Sequence, residues 1–394
     1  MSLFNNLEQP PADKILSLMS KFKQDPRAEK IDLGIGVYKN ADGQTPIFEA
    51  VRAAEQELFA SETTKSYLSP AGDPGFCEAA LSLAFGDDAP HDRLRAMQTP
   101  GGAGALRVLA GLADYAAPGT TVHLPIPTWI NHHSVMEHAG LQIRQYRYLD
   151  SATNRIDFDA MMADLGKIDA GDLVLLHGCC HNPSGADLDR TQWQSIADLV
   201  TARGLIPFID LAYQGFGDGL DEDGCAIRLL AAQVPDMIVA YSCSKNFGIY
   251  RERTGAAFVL RPTSAQADIA IAQLSRQARL TYSMPPDHGA SVVRIILGDP
   301  ALSQNWRDEL DSMRLGIASL RHDLCEAFRE FTNGAHYDFL AEQKGMFSLL
   351  DVSPDEAVRL REEFGIYVVE DGRINIAGLG QHQIRPFAQA VCSL

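Results

Sequence analysis

The order of elements along the chain predicts an α/β protein: a large domain with a mainly parallel sheet flanked by helices, and a smaller α+β domain built from both chain ends. Short apolar runs bounded by Gly, Pro or Asp recur at residues 121–124, 173–177, 205–210, 237–241 and 255–260. Most are separated by longer stretches with helical spacing, such as 190–202 and 225–232. Crossover helices leave consecutive strands parallel and cover the sheet on both faces. At 394 residues, 46% hydrophobic and 22% charged, the chain has the balance of a globular protein and exceeds one ordinary domain.

The elements follow in order. The segment before Thr45, with a helix at 12–23, is too short to fold alone, must pack on another unit and is placed with the C-terminal one. Residues 105–115 follow a glycine-rich run and carry Leu106, Leu109, Ala110 and Leu112 at helical spacing. Residues 306–333 form a long helical pattern with Leu310, Met313, Leu315, Leu320, Leu324 and Phe328 on its apolar positions. Beyond it, short strands at 345–352, 366–369 and 373–376 alternate with helices at 355–364 and 384–390. The expected division is an N-terminal arm at 1–12, a small domain from 13–45 and 313–394, and a large domain at 46–312.

Charge narrows the function. With 34 Lys+Arg against 51 Asp+Glu, the net charge is -17, so attraction to a phosphate backbone or an anionic membrane is not a general driving force. No run approaches the roughly 20 apolar residues that span a bilayer. The start MSLFNNLEQPPADK has neither the basic nor the apolar region of a secretory leader, so a cytoplasmic location is expected. The 7 cysteines are odd in number and sparse, which favours reduced thiols. His177-Gly178-Cys179-Cys180-His181 has metal-like composition, but adjacent cysteines are not expected to point at one ion, and no metal is expected.

Ligands of open α/β sheets bind beyond the carboxyl ends of the strands. Several of those ends are unusual here: Gly101-Gly102-Ala103-Gly104, Pro127-Thr128-Trp129, His181 to Gly185, Asp210 to Tyr213, and Ser242-Cys243-Ser244-Lys245. Small residues opening a helix let an anion approach free backbone N–H groups, although a plain glycine turn reads equally well from this run alone. The run fails the dinucleotide fingerprint, as does Gly34 to Lys39, and it fails the phosphate loop of nucleotide triphosphatases. Lys245, beside Ser242, Ser244 and Arg253, stands where neighbouring positive charge and partial burial lower an amine pKa and make a nucleophile. Ser242-x-x-Lys245 also matches serine acyl enzymes such as penicillin-binding proteins, with Arg253-Thr254-Gly255 loosely mimicking their Lys-Thr-Gly. That alternative lacks Ser-Asp-Asn and the wide spacing of those motifs.

Ser242-Cys243-Ser244-Lys245-Asn246-Phe247-Gly248-Ile249-Tyr250-Arg251-Glu252-Arg253 resembles the pyridoxal-phosphate lysine signature of class I aminotransferases, in their aspartate and aromatic amino acid subgroup. Further matches occur in order: Leu33 to Lys39, Thr63 to Leu68, Gly101 to Arg107, Trp129 to His132, Cys179 to Gly185, Asp210 to Phe216, Tyr282 to Gly289 and Arg373 to Gly378. The resemblance implies the fold-type I architecture of pyridoxal-phosphate enzymes, with pyridoxal 5'-phosphate as cofactor and pyridoxamine 5'-phosphate in the half-reaction. It implies that Lys245 holds the cofactor and moves a proton at the substrate α-carbon, that Asp210 pairs with the pyridine nitrogen, and that Tyr213 and Asn182 bond the ring's phenolic oxygen. Trp129 stacks on the ring and His132 supports the aspartate. Gly102, Ala103, Ser242, Arg253 and, from a second subunit, Tyr67 hold the phosphate, which implies a homodimer with shared active sites. Arg373 takes the substrate α-carboxylate, Arg279 of the partner subunit takes a side-chain carboxylate, and Gly36, Trp129 and Asn182 also line the substrate site.

Departures from the subgroup bear on substrate. Ala103 stands where aspartate-preferring relatives usually have Thr, and Ser66 and Met284 where Asn is usual, which makes the pocket less polar. Val37, Lys39, Thr45 and Arg279 keep the aspartate-like pattern, and Ile130 replaces a frequent Pro. The expected activity is amino transfer from aromatic (Tyr, Phe, Trp) and dicarboxylic (Asp, Glu) amino acids to 2-oxo acids such as 2-oxoglutarate, by ping-pong kinetics. A strict aspartate aminotransferase is the alternative.

Overall fold

A computed structural model describes residues 3–5, 7–9 and 14–394. Its centre is a seven-stranded sheet. In chain order the strands are β1 (Leu94–Pro100), β2 (Thr121–Ile126), β3 (Gln142–Arg147), β4 (Leu173–His177), β5 (Ile206–Leu211), β6 (Met237–Ser242) and β7 (Thr254–Leu260). Their spatial order is β1-β7-β6-β5-β4-β2-β3. Only β7 runs against the others, pairing antiparallel with both β1 and β6. The expected parallel sheet is therefore present, with strands the sequence reading lacked at both edges. β3 escaped because Gln-Ile-Arg-Gln-Tyr-Arg is polar; charged side chains along an outer strand discourage edge-to-edge pairing. β1 mixes Arg95 and Gln98 among apolar residues and shows no clean period.

Strand alternation divides the core. Leu173 and Leu175 of β4 pack into one apolar cluster with Phe208, Ala240 and Ala257. Val174 and Leu176, pointing the other way, join Ile209, Val239 and Phe258 in a second. Both faces are thus covered, which is why these strands read as continuous apolar runs. Helix α1 (Gly101–Ala116) covers the first face through Leu106, Leu109 and Ala110. It begins at Gly101 rather than at 105, because the glycine run forms its first turn instead of a loop.

The chain ends meet as expected. Ile31–Asp32 pairs in parallel with Ile366–Tyr367, and Phe347–Leu349 pairs antiparallel with Arg373–Asn375. The N-terminal helix is described from Lys14 to Gln24; residues 12 and 13, and half of the expected arm at 1–12, lie outside the described residues. Helix α2 (Pro300–Thr332) starts on Asp299, whose side chain accepts from Ala301 and Leu302 N–H. It packs on Glu49–Ser61 and on Ile384–Cys392, so the expected boundary at 312/313 falls inside one continuous helix.

Trp306 of α2 fixes that helix to the sheet: its Nε1 donates to the Asn246 carbonyl at 2.7 Å and its ring stacks on Phe247 with centroids 4.4 Å apart. The side chain is fully buried. Trp306→Ala is expected to lower stability by about 3–5 kcal/mol through cavity formation and a lost hydrogen bond, read as the midpoint shift in urea denaturation.

Candidate active site

The carboxyl ends of β2, β4, β5 and β6 converge on one place. Asp210 lies on β5, aligned with His177 at the end of β4. Lys245 lies in the turn after β6, where Gly248 N–H closes back on the Lys245 carbonyl at 2.9 Å. The turn is anchored from behind by the Trp306 bond and by Asn246 Nδ2 donating to the Tyr241 hydroxyl at 3.2 Å. A buried hydrogen-bonded floor of this kind holds a lysine in one place while leaving its amine free to react.

Burial drives the Lys245 amine down from its ordinary value to about 8, Arg253 pushes the same way, and Asp210 opposes them. The ammonium lies over the Tyr213 ring, 4.7 Å from its centroid. Burial acts on Asp210 in the direction of neutrality, but the His132 bond and the charge of Lys245 outweigh it and hold the carboxyl below its ordinary range. His132 is fully buried and its Nε2 stands 3.1 Å from Asp210 Oδ2.

A chain of hydrogen bonds continues behind His132. Its Nδ1 lies 2.8 Å from Thr128 Oγ1, which lies 3.1 Å from His177 Nε2, while His177 Nδ1 accepts the Asn182 N–H at 3.5 Å. Burial pushes His177 down to about 3, so it is neutral. A neutral ring accepting at Nδ1 carries its proton on Nε2, donates to Thr128, and leaves the Thr128 hydroxyl proton for His132 Nδ1. His132 then donates from Nε2 to Asp210. In the sequence Thr128 stands only within the unusual strand end Pro127-Thr128-Trp129, with no role of its own, and His177 only within a metal-like patch.

The glycine run forms a cradle. A Cβ at Gly101, where φ is +75°, would come 2.5 Å from Arg253 Nη2, and one at Gly102 would come 2.9 Å from the Ser242 Cβ. Only glycine lets the first turn of α1 approach both side chains, which leaves Gly102 and Ala103 N–H groups at the positive end of the helix dipole. Arg253 donates to the Tyr250 carbonyl at 2.9 Å. Ser242 Oγ accepts from Ser244 N–H at 3.2 Å, whereas an acyl enzyme needs that hydroxyl paired with the lysine base.

Asn182 Nδ2 points to the Tyr213 hydroxyl at 3.4 Å, and the buried Asn182 Oδ1 has no partner. Trp129 packs edge-on to His132 with centroids 5.3 Å apart. Arg373 enters from the smaller part of the molecule. Its Nη2 donates to the Gly34 carbonyl at 2.8 Å, it lies over the Phe347 ring at 4.7 Å, and its buried Nε has no partner. Asn375 holds the segment around Gly36 by donating to the Ile35 and Val37 carbonyls at 2.6 and 2.7 Å. Phe347 carried no sequence signal beyond an ordinary core strand. Tyr67 is 92% exposed, and Arg279, also exposed, donates to Ser283 Oγ at 2.6 Å.

The cysteine patch departs from expectation. Cys179 Sγ, Cys180 Sγ and an Asp223 carboxylate oxygen lie within 4.8 Å of one another, and Cys180 has φ +50°. Burial pushes Cys180 up to about 12. Asp223 already accepts three backbone N–H bonds, from Gly215, Gly217 and Asp218.

The Lys245 environment is open to a direct measurement. In cofactor-free protein, the pH dependence of amine labelling at Lys245, followed by peptide mass spectrometry, is expected to have its midpoint near 8. Since Asp210 raises this pKa, Asp210→Asn is expected to move the midpoint lower; an upward movement would contradict the assigned geometry.

Known proteins resemble the chain over its whole length. The profile of aminotransferase class I and II matches residues 28–391. The chain is 47% identical to an aromatic-amino-acid aminotransferase of Paracoccus denitrificans over 389 residues, covering 99% of each protein. It is 43% identical to an aspartate aminotransferase of Escherichia coli over 398 residues, covering 100% of each. Among solved structures, an aromatic amino acid aminotransferase with 3-indolepropionic acid superposes with a TM-score of 0.96 at 46% identity, covering 100% of both chains. An aromatic-amino-acid aminotransferase from Burkholderia pseudomallei, covalently bound to pyridoxal phosphate, superposes with a TM-score of 0.97 at 38% identity, covering 100% of this chain and 99% of that one. With a family profile over nearly the whole chain and relatives 43–47% identical over their full length, the chain belongs to the aminotransferases of class I and II.

Proposed function

We propose that the protein is a pyridoxal 5'-phosphate-dependent aminotransferase acting on aromatic and dicarboxylic amino acids, with 2-oxo acids such as 2-oxoglutarate as acceptors. The observation that carries this is the Lys245 amine, lowered to about 8, buried beside the ionised Asp210. The residues fit the cofactor. The Gly101-Gly102 cradle beside Arg253 and Ser242 suits a phosphate, and the unpartnered Asn182 Oδ1 awaits a ligand beside Tyr213. In this reading Gly102, Ala103, Ser242 and Arg253 hold the phosphate, with Tyr67 of a second copy. Trp129 would lie against the ring, Asp210 would pair with the ring nitrogen, Asn182 and Tyr213 would bond the phenolic oxygen, and Lys245 would be the residue that holds the cofactor covalently. When bound, the cofactor supplies an electron-poor ring that draws off the electron pair of the substrate α-carbon.

The chain's own residues do the rest. The unprotonated Lys245 amine takes a proton at the substrate α-carbon and returns it in the second half of the transfer. Asp210, kept ionised by His132, would hold a proton on the ring nitrogen. Arg373, already stripped of water by burial against Phe347, offers two parallel N–H groups to the substrate α-carboxylate. Tyr67 and Arg279 project outward and serve a neighbouring subunit, so the active unit is a homodimer, placed in the cytoplasm. Among the described residues no helix is long and apolar enough to cross a membrane.

Aromatic substrates are favoured by Ala103, Ser66 and Met284, which thin out polar groups at the site. Strict aspartate preference is the second reading, favoured by Arg279 together with Val37, Lys39 and Thr45. Steady-state kcat/KM for phenylalanine and tyrosine is expected to fall within about a hundredfold of that for aspartate, a spread of under 3 kcal/mol in transition-state binding. Negligible aromatic turnover beside fast aspartate turnover would establish the second reading. Lys245→Ala is expected to abolish the visible cofactor band that amino acids shift and to lower kcat by at least about 10⁴-fold.

A further inference from the structure

Arg321, on the α2 helix, is only 2% exposed and has no carboxylate among its hydrogen-bond partners. A buried cation is tolerated only when its donors are satisfied. Here backbone carbonyls do this: Nε and Nη2 donate to Gly345 O at 3.2 and 2.8 Å, Nη1 to Leu340 O at 3.2 Å, and Nη2 to Lys344 O at 3.1 Å and Phe347 O at 2.6 Å. Nη1 also donates to Ser348 Oγ at 2.7 Å, whose hydroxyl passes on to Gln343 Oε1 at 2.6 Å. Burial lowers the guanidinium to about 10, still charged at neutral pH.

What these carbonyls belong to gives the arrangement its meaning. Residues 344–348 carry Phe347, the ring on which Arg373 lies and whose edge meets Tyr213, with centroids 6.1 Å apart. The same segment touches the loop of Asn182: Lys344 N–H donates to Gly185 O at 2.7 Å. A Cβ at Gly185, where φ is +71°, would stand 2.4 Å from Phe347 O and 3.1 Å from Arg321 Nη2. Three backbone segments therefore close on one guanidinium.

We infer that Arg321 is a positioning residue for the reaction: by gathering the carbonyls of residues 340–347 it fixes Phe347 as the wall that aims Arg373 at the substrate α-carboxylate, and ties that wall to the Asn182 loop. The inference rests on Arg373 being the carboxylate anchor. Lysine in place of Arg321 keeps the charge but cannot span the fork of acceptors.

The test compares cofactor-loaded Arg321→Met, Arg321→Lys, Ser348→Ala and Arg373→Ala with the parent enzyme. With the visible cofactor band retained, Arg321→Met is expected to raise KM for aspartate and phenylalanine together by about tenfold or more, and to weaken inhibition by 3-phenylpropionate by the same factor, while kcat falls less than about threefold. Arg321→Lys should lie between Met and the parent, and Ser348→Ala should raise KM by about two- to fivefold. If Arg321→Met fails to fold, Ser348→Ala decides. KM and inhibitor affinity unchanged within about twofold in the variants that fold, even with a lowered melting temperature, would overturn the inference. Carboxylate affinity unchanged in Arg373→Ala would instead sink the reading of Arg373; weakened affinity there with none in the Arg321 and Ser348 variants sinks this inference alone.

Discussion

The Asp210 carboxylate stands on a strand whose neighbours Phe208, Ile209 and Leu211 are fully buried, and burial acts to neutralise it. Removing an ion from water costs several kcal/mol unless hydrogen bonds and opposite charge offset it. His132 and Lys245 do so from two sides. His132 can act only because Thr128 and His177 fix its ring, and His177 is in turn fixed by the Asn182 amide. Asp210 and Lys245 affect each other reciprocally: the lysine holds the aspartate down while the aspartate keeps the amine from falling further. The electrostatic state of each member therefore depends on a sheet that brings the ends of β2, β4, β5 and β6 together.

The site is positive within an acidic protein. The net charge of -17 describes the whole chain, while Lys245, Arg253 and Arg373 gather where the proposed ligand's phosphate and carboxylate groups go. Burial strengthens such charges by removing competing water. The same logic explains Arg321. A guanidinium wrapped in carbonyls organises backbone rather than binding a ligand, whereas Arg373 keeps an unpartnered Nε in a buried setting.

Much of the site was legible because its chemistry restricts residue type. A lysine after a small-residue strand end, an aspartate closing an apolar strand, and glycines opening a helix each stand out where ordinary packing prefers something else. The strands at 121–126, 173–177, 206–211, 237–242 and 254–260 were legible for a related reason, since sheets buried on both faces need uninterrupted apolar runs. The polar edge strand at 142–147 lacked that constraint and left no period to read. Phe347 and Arg321 gave no warning. A phenylalanine in a short strand and an arginine on a long helix are the commonest of residues in those settings, and their importance lies in partners that the chain brings from elsewhere.

Sequence by itself determined the kinds of element, their order, and which segments carry chemistry, because periodicity and motif spacing are local properties. Tertiary structure decided the rest. That the adjacent Cys179 and Cys180 thiols lie together beside Asp223 is a placement made by the fold. That α2 bridges both parts of the molecule depends on its packing against Glu49–Ser61 and Ile384–Cys392. The relay from His177 through Thr128 and His132 to Asp210 exists only because parallel strands align their ends, and hydrogen bonds between residues 78 positions apart leave no local trace.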